Sequence, residues 1–272
     1  MKNLCLLKPG DILSENLIWQ WYSNISIEVA DGFLNKDQRR YLCEYYVEAG
    51  LLRKWRRPFF RHHYARTFAA ALSFLFSIPK KRPVILELGC GTGTQSLALA
   101  LLGAKVISLD MDNQALEILY RRKDFYEQQT GRILEIQTCN SDVFSFDYSS
   151  IAPIDGLYSL FAFNMMQPSK NLISLVMPYM CKESRIAILD GNCSCWVSRL
   201  FPWRRRNVLS PIELEAEMER TEFTTVGHFG GVVFPPALWC CLPYSLLSNL
   251  DIWLGCQSWH LPVSHQILAS RR

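Results

Sequence analysis

The sequence predicts an α/β fold. It has a Rossmann-like, seven-stranded, mostly parallel sheet with helices on both faces, plus an N-terminal helical cap. Three observations carry this. From Val84 onward, apolar runs of strand length alternate with segments of helical periodicity. The first run, "VILELGCGTG" (Val84 to Gly93), breaks into Gly89, Gly91 and Gly93 just before a helix. Residues 1–80 carry helical patterning and end in the breaker "PKKRP".

The elements follow in order. "KDQRRYLCEYYVEAGLLRKW" spaces Tyr41, Leu42, Tyr45, Tyr46 and Ala49 as one helix face. After Pro58, "FFRHHYARTFAAALSFLFSI" predicts a more apolar helix ending near Pro79. "VILEL" is a buried strand, "TQSLALALLG" a helix stopped by Gly103, and "KVISLD" a second strand. "NQALEILYRRKDFYEQQTG" is a long helix with Gly131 at its C-terminal stop. "RILEIQT", "IDGLYSLF" and "SRIAILD" are the next strands, with "SKNLISLVMPYM" as a helix despite Pro178. "PIELEAEMERT" reads as a helix with proline in its first turn, and "FTTVGHFGGVVF" and "VSHQILAS" as strands near the sheet edge. The organisation is a cap over residues 1–80 and a main domain over 81–272, with an apolar insertion at about 235–260.

Composition narrows the class. With 49% apolar and 20% charged residues, the chain supplies a large core, and a net charge of +4 says little alone. The ten cysteines are scattered, and Cys193/Cys195 and Cys240/Cys241 lack the spacing of a zinc knuckle, so no metal site is expected. Reduced, apolar-behaving thiols imply a reducing, cytoplasmic compartment. The N-terminus is interrupted by Lys8 and Asp11 and is no secretory signal.

The glycine loop needs a ligand that approaches the backbone closely. A dinucleotide loop would put glycine at position 94, where this chain has Thr94, and Glu87 would oppose a pyrophosphate. An acid suits a cationic ligand such as S-adenosylmethionine. Asp110 ends the second strand where ribose hydroxyls can donate to it, and Met111 can lie against an adenine face. Asp142, after the third strand, can accept from an adenine amino group.

Val84 to Asp190 resembles the class I S-adenosylmethionine-dependent methyltransferases of small-molecule type. "ELGCGTG" is similar to that family's first motif, "VISLDMDNQAL" to the segment after it and "SDVFSF" to its acidic turn. "IDGLYSLFAF" resembles its fourth strand, with the customary acid at Asp155. The resemblance implies a seven-stranded sheet with an antiparallel last strand. It also implies cofactor contacts from Tyr64, Glu87, Gly89, Cys90, Gly91, Gly93, Asp110, Met111, Asp142, Val143 and Phe161. The implied product of the cofactor is S-adenosylhomocysteine.

Methyl transfer from a sulfonium depends chiefly on alignment, and a hydroxyl acceptor is helped by a base. His62, His63 and His228 are the candidate bases, and Asn164 in "FAFNMMQP" can orient an acceptor oxygen. That loop lacks a Pro-Pro-Tyr motif, which disfavours nucleic-acid and protein-amide acceptors. Two basic, aromatic clusters, "RKWRRPFFRHHYAR" and "SRLFPWRRRN", suit a solvated face, nucleic acid or an anionic membrane surface. Phe223 to Leu250 carries no charged residue. Within it an amphipathic helix, apolar at Leu246, Leu250 and Trp253, is expected as a lid, a peripheral membrane contact or a homodimer face. The expected activity is methylation of oxygen or carbon on a small apolar or amphipathic acceptor: a secondary metabolite, a quinone-like molecule or a lipid-linked one. The alternatives are an RNA or peptide methyltransferase and a catalytically silent cofactor-binding subunit.

Overall fold

A computed structural model describes residues 4–49, 51–196, 198, 209–258 and 260–271. Seven strands form one sheet: β1 (Val84–Leu88), β2 (Lys105–Asp110), β3 (Ile136–Asn140), β4 (Ile154–Leu160), β5 (Met180–Gly191), β6 (Phe223–Gly230) and β7 (Ser264–Arg271). Their order is β3-β2-β1-β4-β5-β7-β6, with β7 antiparallel to both neighbours. β1 pairs with β2 on one side and β4 on the other, both parallel. The strand order therefore reverses at β1, which opens a crevice at the carboxyl ends of β1 and β2.

Side-chain alternation divides the core. Ile85, Val106 and Ile136 face one apolar layer, with α1 (Glu15–Ser23), α2 (Ile25–Asp31), α5 (Arg66–Leu75), α6 (Thr94–Leu101) and α7 (Asn113–Thr130). Leu86, Ile107, Leu157, Ile188 and Ile267 face the other, covered by α8 (Leu172–Val176) and α9 (Pro211–Arg220). Local signals set the helix ends. The Asp112 side chain accepts from the Gln114 and Ala115 amides at the start of α7, and Ser210 with Glu213 forms a capping box on α9.

Several elements differ from the sequence expectation. The apolar helix before Pro79 is broken into α4 (Arg57–Phe60), a π-helical turn (Arg61–Ala65) and α5. α5 packs on β5 and β7. The helix expected over "SKNLISLVMPYM" shrinks to α8 between two 3-10 turns, because Pro178 has no amide to donate. β5 starts at Met180, four residues early, and its pairing with β4 shifts register between Ile154 and Gly156. β6 stops at Gly230, and the carbonyls of Gly230 and Gly231 are taken by Arg66 Nη2 at 3.1 and 2.9 Å.

The insertion folds as α10 (Leu238–Cys241) and α11 (Tyr244–Gln257). Ser248 and Asp251 point inward with Leu247, while Leu246, Leu250 and Trp253 are exposed. Asp251 draws the helix inward: Oδ1 accepts from the Val233 and Phe234 amides, and Oδ2 meets His62 Nε2 at 3.0 Å. The second basic cluster, apart from Ser198, lies outside the described residues.

Candidate cofactor and acceptor site

A cleft of about 670 Å³ opens over Gly89 and Gly91, between the ends of β2 and β3 and the loop after β4. A drug-sized ligand fits a pocket of this volume. Among the described residues its lining includes Asp110, Asp112 and Asp142 and no lysine, arginine or histidine. Such a wall repels phosphate and receives hydroxyl, amine or sulfonium groups.

The backbone builds the floor. Gly89, Gly91 and Gly93 have φ of +70°, +51° and +76°, a region costly for other residues. At Gly91 a Cβ would point toward Tyr45, whose hydroxyl lies 3.7 Å from that position, so the glycine keeps the floor low. Asp110 pins this floor to β2: Oδ2 accepts from the Gly91 amide at 2.7 Å and Oδ1 from the Asp112 amide at 2.9 Å. Each oxygen keeps a lone pair for a further donor. Asp142 is exposed at the opposite wall, with Oδ1 accepting from the Phe144 amide at 2.7 Å. Met111 and Val143 line the space between the two acids. From above, Tyr41 of α3 (Lys36–Ala49) donates to Asp112 Oδ2 at 2.5 Å.

Toward β4 the cleft turns apolar, with Leu160, Phe161, Ala162, Met165 and Met166. Phe161 has φ +53°, a strained conformation for an aromatic residue, and its amide is held by the Leu189 carbonyl. It also walls a second chamber of about 290 Å³, lined by Tyr22, Tyr45, Tyr46, Phe60, Tyr64, Gln95 and Leu160 as well. Among the described residues no charged side chain lines this chamber.

The expected site residues separate into groups. Gly89, Gly91, Asp110, Met111, Asp142, Val143 and Phe161 come together at the cleft. Tyr64 lines the aromatic chamber instead, stacked on Phe60 with centroids 4.4 Å apart. Gly93 acts one turn later as the left-handed N-cap of α6. Cys90 is buried in the apolar core. Glu87 departs from the reading of an anion facing the ligand. It is buried, accepts from Ser96 Oγ, and desolvation pushes its carboxyl up to about 8, so it is neutral at pH 7.

None of the four catalytic candidates lines either cavity. His62 is buried between Asp251 and Ser248, with its Nδ1 3.1 Å from Ser248 Oγ. His63 Nε2 lies 2.7 Å from Ser264 Oγ, and its ring meets Phe161 edge-on at 5.2 Å, behind the chamber wall. His228 sits on the edge strand β6, 3.6 Å from Glu215. Asn164 is buried, its Oδ1 accepting from the Leu209 amide at 2.9 Å.

Burial holds His63 and His265 neutral, each pushed down to about 3. In the unfolded chain both would bind a proton near pH 6.5. Between about pH 6.5 and 3 the unfolded state therefore holds more protons, and stability falls as pH falls. Glu87, pushed upward, contributes the opposite slope between its ordinary value and about 8, so it offsets part of the histidine slope down to about pH 4.5 and the net slope is steepest below that. Urea denaturation should show a lower midpoint at pH 4.5 than at pH 7, and His63→Gln with His265→Gln should flatten that difference.

Sequence reasoning missed the buried pair behind the glycine loop. Arg122 of α7 donates from Nε and Nη2 to both carboxylate oxygens of Glu28 at 2.6 and 3.1 Å. Its Nη1 donates to the Thr92 carbonyl at 2.6 Å and to Thr94 Oγ1 at 2.8 Å. The Trp21 indole donates to the Thr94 carbonyl, and Gln95 donates to the Tyr22 hydroxyl. The cap thus grips the far side of the loop. A signal was present: Arg122 falls between Leu119 and Tyr126 on the apolar face of its helix, the wrong place for a solvated charge.

Residues 57–172 match the family model described as tellurite resistance protein TehB. A comparison with curated proteins finds no match. Among solved structures, the chain is similar to magnesium protoporphyrin IX methyltransferase (ChlM) from Synechocystis PCC 6803 with bound S-adenosylmethionine. That similarity has a TM-score of 0.55 at 10% identity and covers 95% of this chain and 97% of that one. The plantazolicin methyltransferase BpumL, in complex with S-adenosylhomocysteine, gives 0.51 at 15% identity over 94% and 100%. Geranyl diphosphate C-methyltransferase from Streptomyces coelicolor A3(2) gives 0.52 at 15% identity over 75% and 80%. By its strand order and these structural likenesses, the chain has the fold of the class I S-adenosylmethionine-dependent methyltransferases.

Proposed function

We propose that the protein transfers a methyl group from S-adenosylmethionine to an oxygen or carbon of a small apolar or amphipathic acceptor. One observation carries the reading. The cleft has carboxylates at its β2 and β3 walls, no cationic side chain among the described residues, and an apolar exit toward β4. The ribose hydroxyls would donate to Asp110, the adenine would lie between Met111 and Val143, and its amino group would reach Asp142. Bound S-adenosylmethionine supplies an electrophilic methyl group. The chain's part is to align the acceptor with it and keep water away, which Phe161, Met165, Met166 and the aromatic chamber do. No histidine lines either cavity, which suits an acceptor arriving as a phenolate or enolate. The uncharged chamber supports an apolar acceptor over RNA, whose phosphates would want cations there.

Asp110→Ala leaves the ribose donors unmatched and frees the Gly91 amide, so S-adenosylhomocysteine affinity should fall by about ten- to a hundredfold in calorimetry. Unchanged affinity would remove Asp110 from the ribose site. The activity itself is tested with methyl-labelled S-adenosylmethionine and fractionated cell extract. Label should enter an organic-extractable small molecule. Label in RNA or peptide would overturn the acceptor class, and label in no fraction would favour a silent subunit.

A further inference from the structure

The structure assigns α11 and the adjoining basic turn to the surface of an anionic phospholipid membrane. The helix is turned inside out relative to a core-facing amphipathic helix. Its polar Asp251 and Ser248 are buried on His62, and Leu246, Leu250 and Trp253 are left to solvent beside Ser245 and Asn249. On that side Leu246 is 53% exposed, Leu250 42% and Trp253 59%, in one stripe at helical spacing, with Ile252 beside it and Leu242 at the break before the helix. Residues 252–270 carry no Asp, Glu, Lys or Arg, and neither do residues 223–250, so no charge interrupts the patch. An isolated exposed leucine needs no explanation, but a contiguous stripe with tryptophan does.

Charge supplies the choice of partner. α10, which leads into the stripe, packs against the 3-10 turn Lys54–Arg56 and against α4. There Arg53 and Lys54 are exposed, and Trp55 is 46% exposed under the Arg56 guanidinium, 4.7 Å from its ring. An apolar face bearing an indole, bordered by lysine, arginine and a second indole, has the chemistry of a helix lying in a headgroup layer. The indoles sit at the interface and the cations meet lipid phosphates. No helix of the described residues is long and apolar enough to cross a membrane, so the contact is peripheral. The patch follows β6 at the sheet edge that also carries the cleft, so an acceptor leaving the bilayer would enter from the same side.

The test is sedimentation of the full chain with vesicles of phosphatidylcholine, with and without phosphatidylserine. Partitioning should be at least about tenfold stronger with phosphatidylserine and should weaken with salt. Trp253→Ser with Leu250→Ser, two exposed positions, should reduce it by about tenfold or more with no change in the thermal melt. Arg53→Glu with Lys54→Glu should abolish the phosphatidylserine preference. Equal partitioning of the wild type and the Trp253/Leu250 variant, or no sedimentation with either vesicle, would overturn the assignment. A dimer in light scattering that the same two substitutions dissociate would give the face to a second copy of the chain and overturn it too.

Discussion

Arg122→Met should lower the melting temperature by about 10 °C and weaken S-adenosylhomocysteine binding. The guanidinium is fully buried, as is its partner Glu28. Removing it strands a carboxylate in the apolar layer that also receives the Tyr126 hydroxyl at 2.7 Å. Breaking a buried pair from one side costs about 3–5 kcal/mol, and in a domain of this size each kcal/mol is worth a few degrees. The same change removes the donor to the Thr92 carbonyl and one partner of the Thr94 hydroxyl, so the glycine loop loses part of its support. Adding Glu28→Gln removes the orphaned charge and should recover much of the melting temperature. It should not recover affinity, because the bonds to the Thr92 carbonyl and the Thr94 hydroxyl come from Arg122 and not from Glu28. A single variant that melts like the wild type would show that the pair is not a structural tie.

Gly89→Ala should be nearly as damaging for a different reason. An added Cβ would lie 2.2 Å from the Ala162 Cβ, which is fixed to its backbone, and the residue would have to keep φ +70°. The left-handed conformation costs about 1–2 kcal/mol, and the overpacking adds a similar amount. The strain falls where the glycine loop meets the loop after β4, so both walls of the cleft shift and affinity should drop by more than tenfold. Gly91→Ala is the contrast. Its Cβ meets only the Tyr45 ring at 3.7 Å or beyond, so it should block the ligand's approach while costing less stability. If the two variants melt together and bind alike, the cleft floor is not built as described.

The fold was legible wherever one rule acted alone. Strand runs bounded by glycine, and helices with their own caps, such as α7 between Asp112 and Gly131, appear where the pattern places them. The cleft was legible for the same reason: Gly89, Gly91, Asp110 and Asp142 stand at strand ends, and a parallel sheet brings strand ends to one edge. What escaped depended on partners distant in sequence. α11 has an apolar face in the sequence, yet His62, 189 residues away, draws its aspartate inward. The histidines were plausible bases by composition, but whether an imidazole meets a cavity or a serine is decided by packing that no local pattern records. Glu87 stood at the correct strand, and burial favours its neutral form.

The central claim is that the cleft over Gly91 takes a sulfonium nucleoside rather than a phosphorylated one. Isothermal titration of the purified chain with S-adenosylhomocysteine, and separately with NAD, tests it most directly. The account predicts one site per chain for S-adenosylhomocysteine, weakened in Asp110→Ala, and no binding of NAD. Heat from NAD, or none from S-adenosylhomocysteine, would contradict it.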